Sequence, residues 1–189
     1  VTTLPNDQVV DLTSRLGGGF GIISKKLKNQ KLLVKNLLEE KIVLISAPDK
    51  PLAKRKELSP REVNNLPIIL FEEECGTNEA VMKFKKKNNL EFDVRCIFSN
   101  SESVKSLVKK GLGYAFISRN VIKNEVARNE LVEINVLDET LVRQFYIIYH
   151  KEKYISNTLK TFIDIMIEWS DKYTEKIRQE ITQINLKKT

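Results

Sequence analysis

Two short segments hold the residue types from which a ligand site can be built: Cys75-Gly76-Thr77-Asn78 and Ser99-Asn100-Ser101. Each places small, hydroxyl or amide side chains at the expected start of a helix. The first amides of a helix have no carbonyl partner within it, so they draw anions, and nearby hydroxyl or amide groups add directed bonds. Gly76 would let the main chain approach a guest closely. Both segments follow apolar runs that read as adjacent parallel strands. In open α/β sheets, ligands collect in the crevice outside the carboxyl ends of such strands. Helix capping explains the same residues one by one, but two such turns at one crevice favour a small-molecule site.

Other chemistry has less to work with. The sequence has no GxSxG elbow, no HExxH pair and no GxxxxGK[ST] phosphate loop. Gly17-Gly18-Gly19-Phe20-Gly21 precedes a strand, whereas a dinucleotide fingerprint must follow a strand and open a helix; a turn is the better reading. The single histidine, His150, makes no convincing Ser–His or Cys–His pair, and Glu72, Glu73 and Glu74 read as solvated loop carboxylates. Cys75 and Cys96 lack a CxxC spacing, so they read as buried or half-buried thiols, with a redox pair as the alternative. No catalytic residue, metal or cofactor is expected.

The elements that must position the two turns follow from periodicity and end signals. Asn6 to Leu16 reads as a helix capped by Asn6 or Asp7, with Val9, Val10 and Leu12 inward. Strands follow at Phe20 to Ile23, Leu32 to Asn36 and Lys41 to Ala47. Ser59-Pro60-Arg61-Glu62 has the spacing of a capping box with proline in the first turn. Pro67 to Phe71 is a strand, and Thr77 to Asn88 a helix with Ala80, Val81 and Phe84 inside. Phe92 to Phe98 is a strand. A helix then starts at Ser99-Asn100-Ser101-Glu102, runs through Val104, Leu107 and Val108, and ends at Gly111. Gly113 to Ile117 is a strand, Asn120 to Ala127 a helix, and Leu131 to Asn135 and Arg143 to Tyr149 are strands. Ile155, Leu159, Phe162, Met166, Trp169, Tyr173, Ile177, Ile181 and Ile184 then mark one long amphipathic helix. The alternation from Pro67 to Ile117 implies a parallel sheet with right-handed crossovers, an α/β fold.

Composition agrees. With 189 residues, 41% hydrophobic and 30% charged, the chain can bury a core as one domain or two small lobes. No apolar run is long enough to span a bilayer and no signal peptide opens the chain, so a cytoplasmic protein without membrane contact is expected. The formal charge of +7 is spread out and interleaved with acids, and Lys83 to Lys87 falls on the outer side of a predicted helix. That is weak evidence for direct nucleic-acid binding.

An ordered set of segments resembles the effector domain of LysR-type transcription regulators. Lys41-Ile-Val-Leu-Ile-Ser-Ala-Pro-Asp-Lys-Pro-Leu-Ala53 is similar to that family's strand and "PxHPLA". Leu58-Ser-Pro-Arg-Glu-Val63 with Leu66-Pro-Ile-Ile-Leu70 resembles "LSxxELxxxPFI", and Cys75-Gly-Thr-Asn78 matches the "GT" helix start. Ser99 to Phe116 resembles "SxExIKxxVxxGLGIAFLP", Val121 to Ile134 "VxxELxxGxLVxL", and Phe145 to Ile163 "FYLVYRKxRxLSPAxxxFLD".

The resemblance implies a two-lobed, periplasmic-binding-protein-like (type II) fold with Rossmann-like lobes joined by crossing strands. One lobe would hold residues 1–45 and 147–189, the other residues 46–146. A small metabolite would bind between the lobes and alter a homodimer or tetramer, and promoter DNA would be held by a winged helix-turn-helix domain absent from this chain. Helix starts favour an anionic or carboxylate-bearing effector. Carried over by position, Gly76, Thr77, Ser99, Asn100, Ser101, Phe116 and Ile117 would face the effector from the second lobe, and Thr3 and Asn6 from the first. The family's first strand, following loop and first helix are expected to be missing. Gly19 stands where the family commonly has Asp, and Ser118 where it has Pro. The last helix continues past the family's usual end near Met166, so Trp169 to Ile184 is expected to cover apolar surface on this domain or on a dimer mate. Two other readings are a transporter's solute-binding protein and a prephenate dehydratase-like enzyme domain.

Overall fold

The computed structural model describes all residues except 1, 3, 16–18, 153–155 and 187–189, and the backbone alone over 176–186. The chain divides into two compact units, Val1–Glu39 with Gln144–Thr189, and Glu40–Arg143. The sequence reading set these breaks at 45/46 and 146/147. Two long strands, β2 (Leu32–Ser46) and β8 (Leu141–His150), run through both units.

In the Glu40–Arg143 unit, β4 (Pro67–Phe71), β5 (Asp93–Phe98) and β6 (Tyr114–Ser118) are parallel, in the order β6-β4-β5. Antiparallel β2 closes the β6 side, with Ile42 opposite Ser118, and β7 (Val132–Val136) lies beyond it. A two-residue strand, β3 (Glu57–Leu58), pairs with β7. The period-2 alternation of a strand sorts side chains onto two faces. On one face Ile68, Leu70, Tyr114 and Phe116 pack against Val81 and Phe84 of α2 (Gly76–Lys87). On the other, Ile69, Phe71, Ala115 and Ile117 pack against Val104 and Val108 of α3 (Ser101–Lys109). Helices α2 and α3 therefore cover opposite faces. Near the unit's end, a 3-10 turn at Arg119–Ile122 leads into a short α4 (Lys123–Ala127).

Three helices stop in the same way. The amides of Leu90, Leu112 and Glu130 each reach a carbonyl five residues back, at Lys85, Leu107 and Glu125. The residue before each has positive φ: Asn89 at 50°, Gly111 at 72° and Asn129 at 56°. This is the Schellman end, and asparagine tolerates the left-handed backbone better than other residues with a Cβ. Gly111 was legible as a stop; the two asparagines do the same work with a weaker sequence signal.

In the other unit, β1 (Phe20–Ile23) is an edge strand paired antiparallel to β8, with Phe20 opposite Tyr149. Helix α1 (Asn6–Thr13) covers one face with Val9 and Val10 against Ile23, Leu32, Tyr146 and Ile148. Helix α5 (Asn157–Leu186) covers the other, with Ile163 against Ile147 and Tyr149. At Gly21 an added Cβ would lie 2.4 Å from Val9 Cγ1, so α1 packs directly on the β1 backbone.

Several expectations need correction. The two strands read at 32–36 and 41–47 are one strand, and 37–40 stay extended where Gln144 Nε2 donates to the Leu38 carbonyl at 2.9 Å. Ser170 Oγ likewise donates to the Leu37 carbonyl. Helix α1 ends at Thr13, its cap is Pro5, and Leu12 is 46% exposed. The capping box expected at Ser59 is formed, with the Glu62 carboxylate accepting from both the amide and the hydroxyl of Ser59, but the helix it opens is a 3-10 helix of four residues. Helix α3 is capped by Asn100, whose Oδ1 accepts from the Ser103 amide at 2.8 Å, one residue later than the Ser99 start implied.

Candidate functional site

From β4 the chain crosses by α2 to β5 on one side, then returns by α3 over the opposite face to β6 on the other side. The strand order thus reverses between β4 and β6, and a crevice opens at the carboxyl ends of strands where such a reversal occurs. The α2 start belongs to this point. Gly76, Thr77 and Asn78 are all buried, and Cys75 gives α2 no side-chain cap.

A polar network gathers there from four separate elements. Arg143, at the start of β8, donates from Nη1 to Thr77 Oγ1 at 3.1 Å. Its Nε and Nη2 donate to Glu40 Oε2 of β2 at 2.9 and 2.7 Å. Asn120, just after β6, donates from Nδ2 to Glu40 Oε1 at 3.3 Å. Ser118 Oγ, at the end of β6, accepts from the Asn120 amide at 3.3 Å. The side chains of Arg143 and Glu40 keep 18% and 15% of their surface, so the guanidinium is oriented yet reachable. A planar fork held this way is suited to a carboxylate or phosphate.

Beside Thr77, Asn78 Nδ2 donates to the Phe71 carbonyl at the end of β4, at 2.6 Å. That bond fixes which end of the amide is which. Asn78 Oδ1 points elsewhere and, among the described residues, is the one buried side-chain polar atom without a partner. A buried acceptor left so costs about 1–3 kcal/mol, which a donor hydroxyl or a water would recover.

The residues expected from the sequence are placed as follows. Gly76 and Thr77 stand at the β4–β6 reversal. Ser99 and Asn100 are exposed and Ser101 half-buried, at the end of neighbouring β5. The Glu72 amide donates to the Phe98 carbonyl at 3.2 Å, tying the two turns together, but the helices they open run along opposite faces. Phe116 and Ile117 are 2% and 1% exposed, one in each core. Phe116 lies 5.6 Å from Phe84 and 6.4 Å from Phe92, ring centre to ring centre. In the other unit, Asn6 exchanges bonds with Ser24: Nδ2 donates to Oγ, and Oδ1 accepts from the amide at 3.1 Å. Thr3 lies outside the described residues.

The sequence reading missed Arg143, Glu40 and Asn120. Arg143 is 66 positions from Thr77 and 103 from Glu40, and only the sheet brings them together. Cys75 and Cys96 are unbridged, half-buried thiols against the core on the α3 face. Among the described residues no cluster of three His, Cys, Asp or Glu could hold a metal, and no helix is long and apolar enough to cross a membrane.

Against known proteins, the model of the LysR substrate binding domain matches residues 4–171. The transcriptional activator CmpR of Synechocystis is 31% identical over 144 residues, 76% of this chain and 47% of CmpR. The chain therefore spans about half the length of the curated relatives it matches. The Synechocystis CcmR regulatory domain, solved with 2-PG, superposes with a TM-score of 0.77 at 22% identity, over 87% of this chain and 79% of that one. The effector binding domain of QuiR, solved with shikimate, gives 0.78 at 18% identity, over 90% and 79%. The fold is the two-lobed, periplasmic-binding-protein-like α/β fold of these regulatory domains. With the family match running over most of its length, the chain belongs to the LysR substrate binding domain family.

Proposed function

We propose that this chain senses a small anionic metabolite within a LysR-type transcription regulator, and that the anion is held at the start of α2 by Arg143, Thr77 and the first-turn amides. The observation that carries this is the Arg143–Thr77 bond at the reversal between β4 and β6, with Asn120 and Glu40 fixing the guanidinium. The family and its relatives support it: CmpR is a transcriptional activator, and the CcmR and QuiR domains were solved with small molecules. Gly76 lies against the guest by its main chain. Ser99, Asn100 and Ser101 form the neighbouring rim, and Phe116 and Ile117 act as the packed floor behind it.

The domain works by binding, not turnover, in the cytoplasm. It acts within a homodimer or tetramer, whose promoter contacts are made by a separate winged helix-turn-helix domain. An effector shifts such an assembly only by binding one state better than another. A transporter's solute-binding protein shares the fold, but the matched relatives are regulators.

Thermal-shift screening of small carboxylates and phosphorylated acids tests the site. A hit should lose most of its stabilisation in Arg143→Gln and in Thr77→Val, and Arg143→Lys should restore part of it through charge without the fork. Each variant is compared with its own ligand-free melting temperature. A hit whose stabilisation survives both Arg143→Gln and Thr77→Val places the ligand elsewhere.

A further inference from the structure

Glu40 places a second charge in the candidate site, and strand alternation puts it there. Along β2 it shares a face with Ile42 and Leu44, which lie in the core that α2 covers. Along β8, Arg143 shares that face with Leu141 of the same core. The two side chains therefore meet beside the first turn of α2, where Thr77 accepts from the guanidinium. Glu40 is pinned from both sides. Its Oε2 accepts from Nε and Nη2 of Arg143, and its Oε1 accepts from Asn120 Nδ2. Only 15% of its side-chain surface is exposed, so the carboxylate cannot turn to solvent without stranding the guanidinium.

Charge at this point is close to balanced, in a chain whose net charge is +7. Glu40 cancels Arg143, and the start of α2 adds about half a positive charge. The charged neighbours do not tip the balance further. Lys41, on the opposite face of β2, reaches Asn135 at 2.8 Å, and Arg119, next to Asn120, is held by Glu133 at 2.9 Å. Glu72, Glu73 and Glu74, exposed in the turn that leads into Gly76, are all acidic. One negative charge on a ligand meets the guanidinium and the helix start. A second beside it meets the Glu40 carboxylate, and a like charge at about 6 Å in a half-exposed site weakens binding roughly tenfold or more.

Building on the reading of Arg143 and Thr77 as the pair that holds the anion, we infer that Glu40 sets the charge of the ligand: the site takes one negative charge and turns away a second next to it. The ligand class is then a monocarboxylate; phosphate monoesters and acids with two adjacent carboxylates are disfavoured. Glu40 has two effects here. It orients the fork through Nε and Nη2, which serves any anion. It also repels a second charge, which serves only the choice among anions. The two separate by experiment, because lost orientation weakens all anions alike, whereas lost repulsion changes their ranking.

Malonamate and malonate test it, since they share a skeleton and at neutral pH differ by one charge. Their dissociation constants for the full 189-residue chain are measured from backbone amide shifts at constant ionic strength. The wild type should bind malonamate about tenfold more tightly than malonate, with the amides of Gly76 and Thr77 among those that shift. In Glu40→Gln the ratio should fall to near one or invert. Glu40→Asp, which keeps the charge, should keep the preference. A wild type that binds both probes alike, or prefers malonate, overturns the inference without recourse to any variant. So does a Glu40→Gln chain that weakens both equally, because Glu40 would then only orient Arg143. Arg143→Gln tells the failures apart. If it loses both probes while the wild type shows no preference, the anion site stands and only the role of Glu40 falls. If it binds both as the wild type does, or if neither probe binds the wild type, the site itself is misplaced and the inference falls with it.

Discussion

The carboxyl ends of β4 and β6 and the apolar surface beside β1, where Leu12, Phe20, Ile22 and Phe162 line a groove, are built from opposite materials. At the strand ends a guanidinium is held by a carboxylate and a hydroxyl, next to the start of a helix and a buried amide oxygen that lacks a donor. Directed polar bonds of that kind discriminate by charge and geometry, and a guest of a few atoms can satisfy them. The groove offers area and little direction. Its lining is mostly Val, Leu, Ile, Phe and Met, with Thr2 and Thr13 among them, and such side chains reward surface removed from water.

Three measurements break or sharpen that contrast. The largest effect should come from Phe116→Ala, which opens a cavity between Phe84 and Phe92 and should cost about 4 kcal/mol in urea unfolding. If Phe116 instead served mainly to touch ligand, stability would hold and only binding would fall. Leu12→Ala in the half-exposed groove is the control, expected to stay within about 0.5 kcal/mol in the monomer.

Next comes the buried pair that ties α3 to α4. Lys105 Nζ donates to Glu125 Oε1 at 2.7 Å and also meets Glu102 at 2.8 Å. Burial pulls the Lys105 pKa down, but the bonds from Glu102 and Glu125 outweigh it and hold the ammonium above its ordinary value. The bond from Lys105, against burial, holds Glu125 below the usual carboxylate range. The contribution of Glu125 is therefore full above its unfolded pKa and lost as pH falls through its lowered folded value. That of Lys105 is present at neutral pH and lost only as pH rises through its raised one. Lys105→Met should cost about 3 kcal/mol at pH 7, because it strands a buried carboxylate. The deficit should shrink as pH falls and Glu125 takes up a proton; a deficit constant with pH would mean that the pair is not the source.

The smallest effect belongs to Asn78. Asn78→Ala removes the bond to the Phe71 carbonyl together with the unsatisfied oxygen, so loss and relief partly offset, leaving about 1 kcal/mol of destabilisation. A hit from the metabolite screen that bears a hydroxyl should lose more affinity in this variant than one without. Equal losses would show that the oxygen faces a water.

Much of the fold was legible because its signals are local. Ser101–Lys109 announced itself by a polar start, an apolar stripe and Gly111; Pro67–Phe71 and Phe20–Ile23 read as strands to the residue. The misses have physical causes. Leu37, Leu38, Glu39 and Glu40 have weak strand preference, and β2 stays extended through them with the Leu37 and Leu38 carbonyls held by Ser170 and Gln144. Asn6 looked like a helix cap because amides often cap, but Ser24 lies close enough to claim its side chain. Neighbouring Phe116 and Ile117 looked alike as candidates, and strand alternation sends them to opposite cores.

For the candidate site, the sequence by itself determined the helix start at Gly76-Thr77, the parallel strands behind it and the family pattern, since each depends on residues close together along the chain. Only the tertiary structure decided that Arg143 meets Thr77, that Glu40 and Asn120 hold it, and that the reversal falls between β4 and β6 rather than at β5. Those contacts join residues tens to a hundred positions apart. They exist because strand order and register, set by the packing of two cores on one sheet, bring the middle of β2, the end of β6 and the start of β8 to the start of α2.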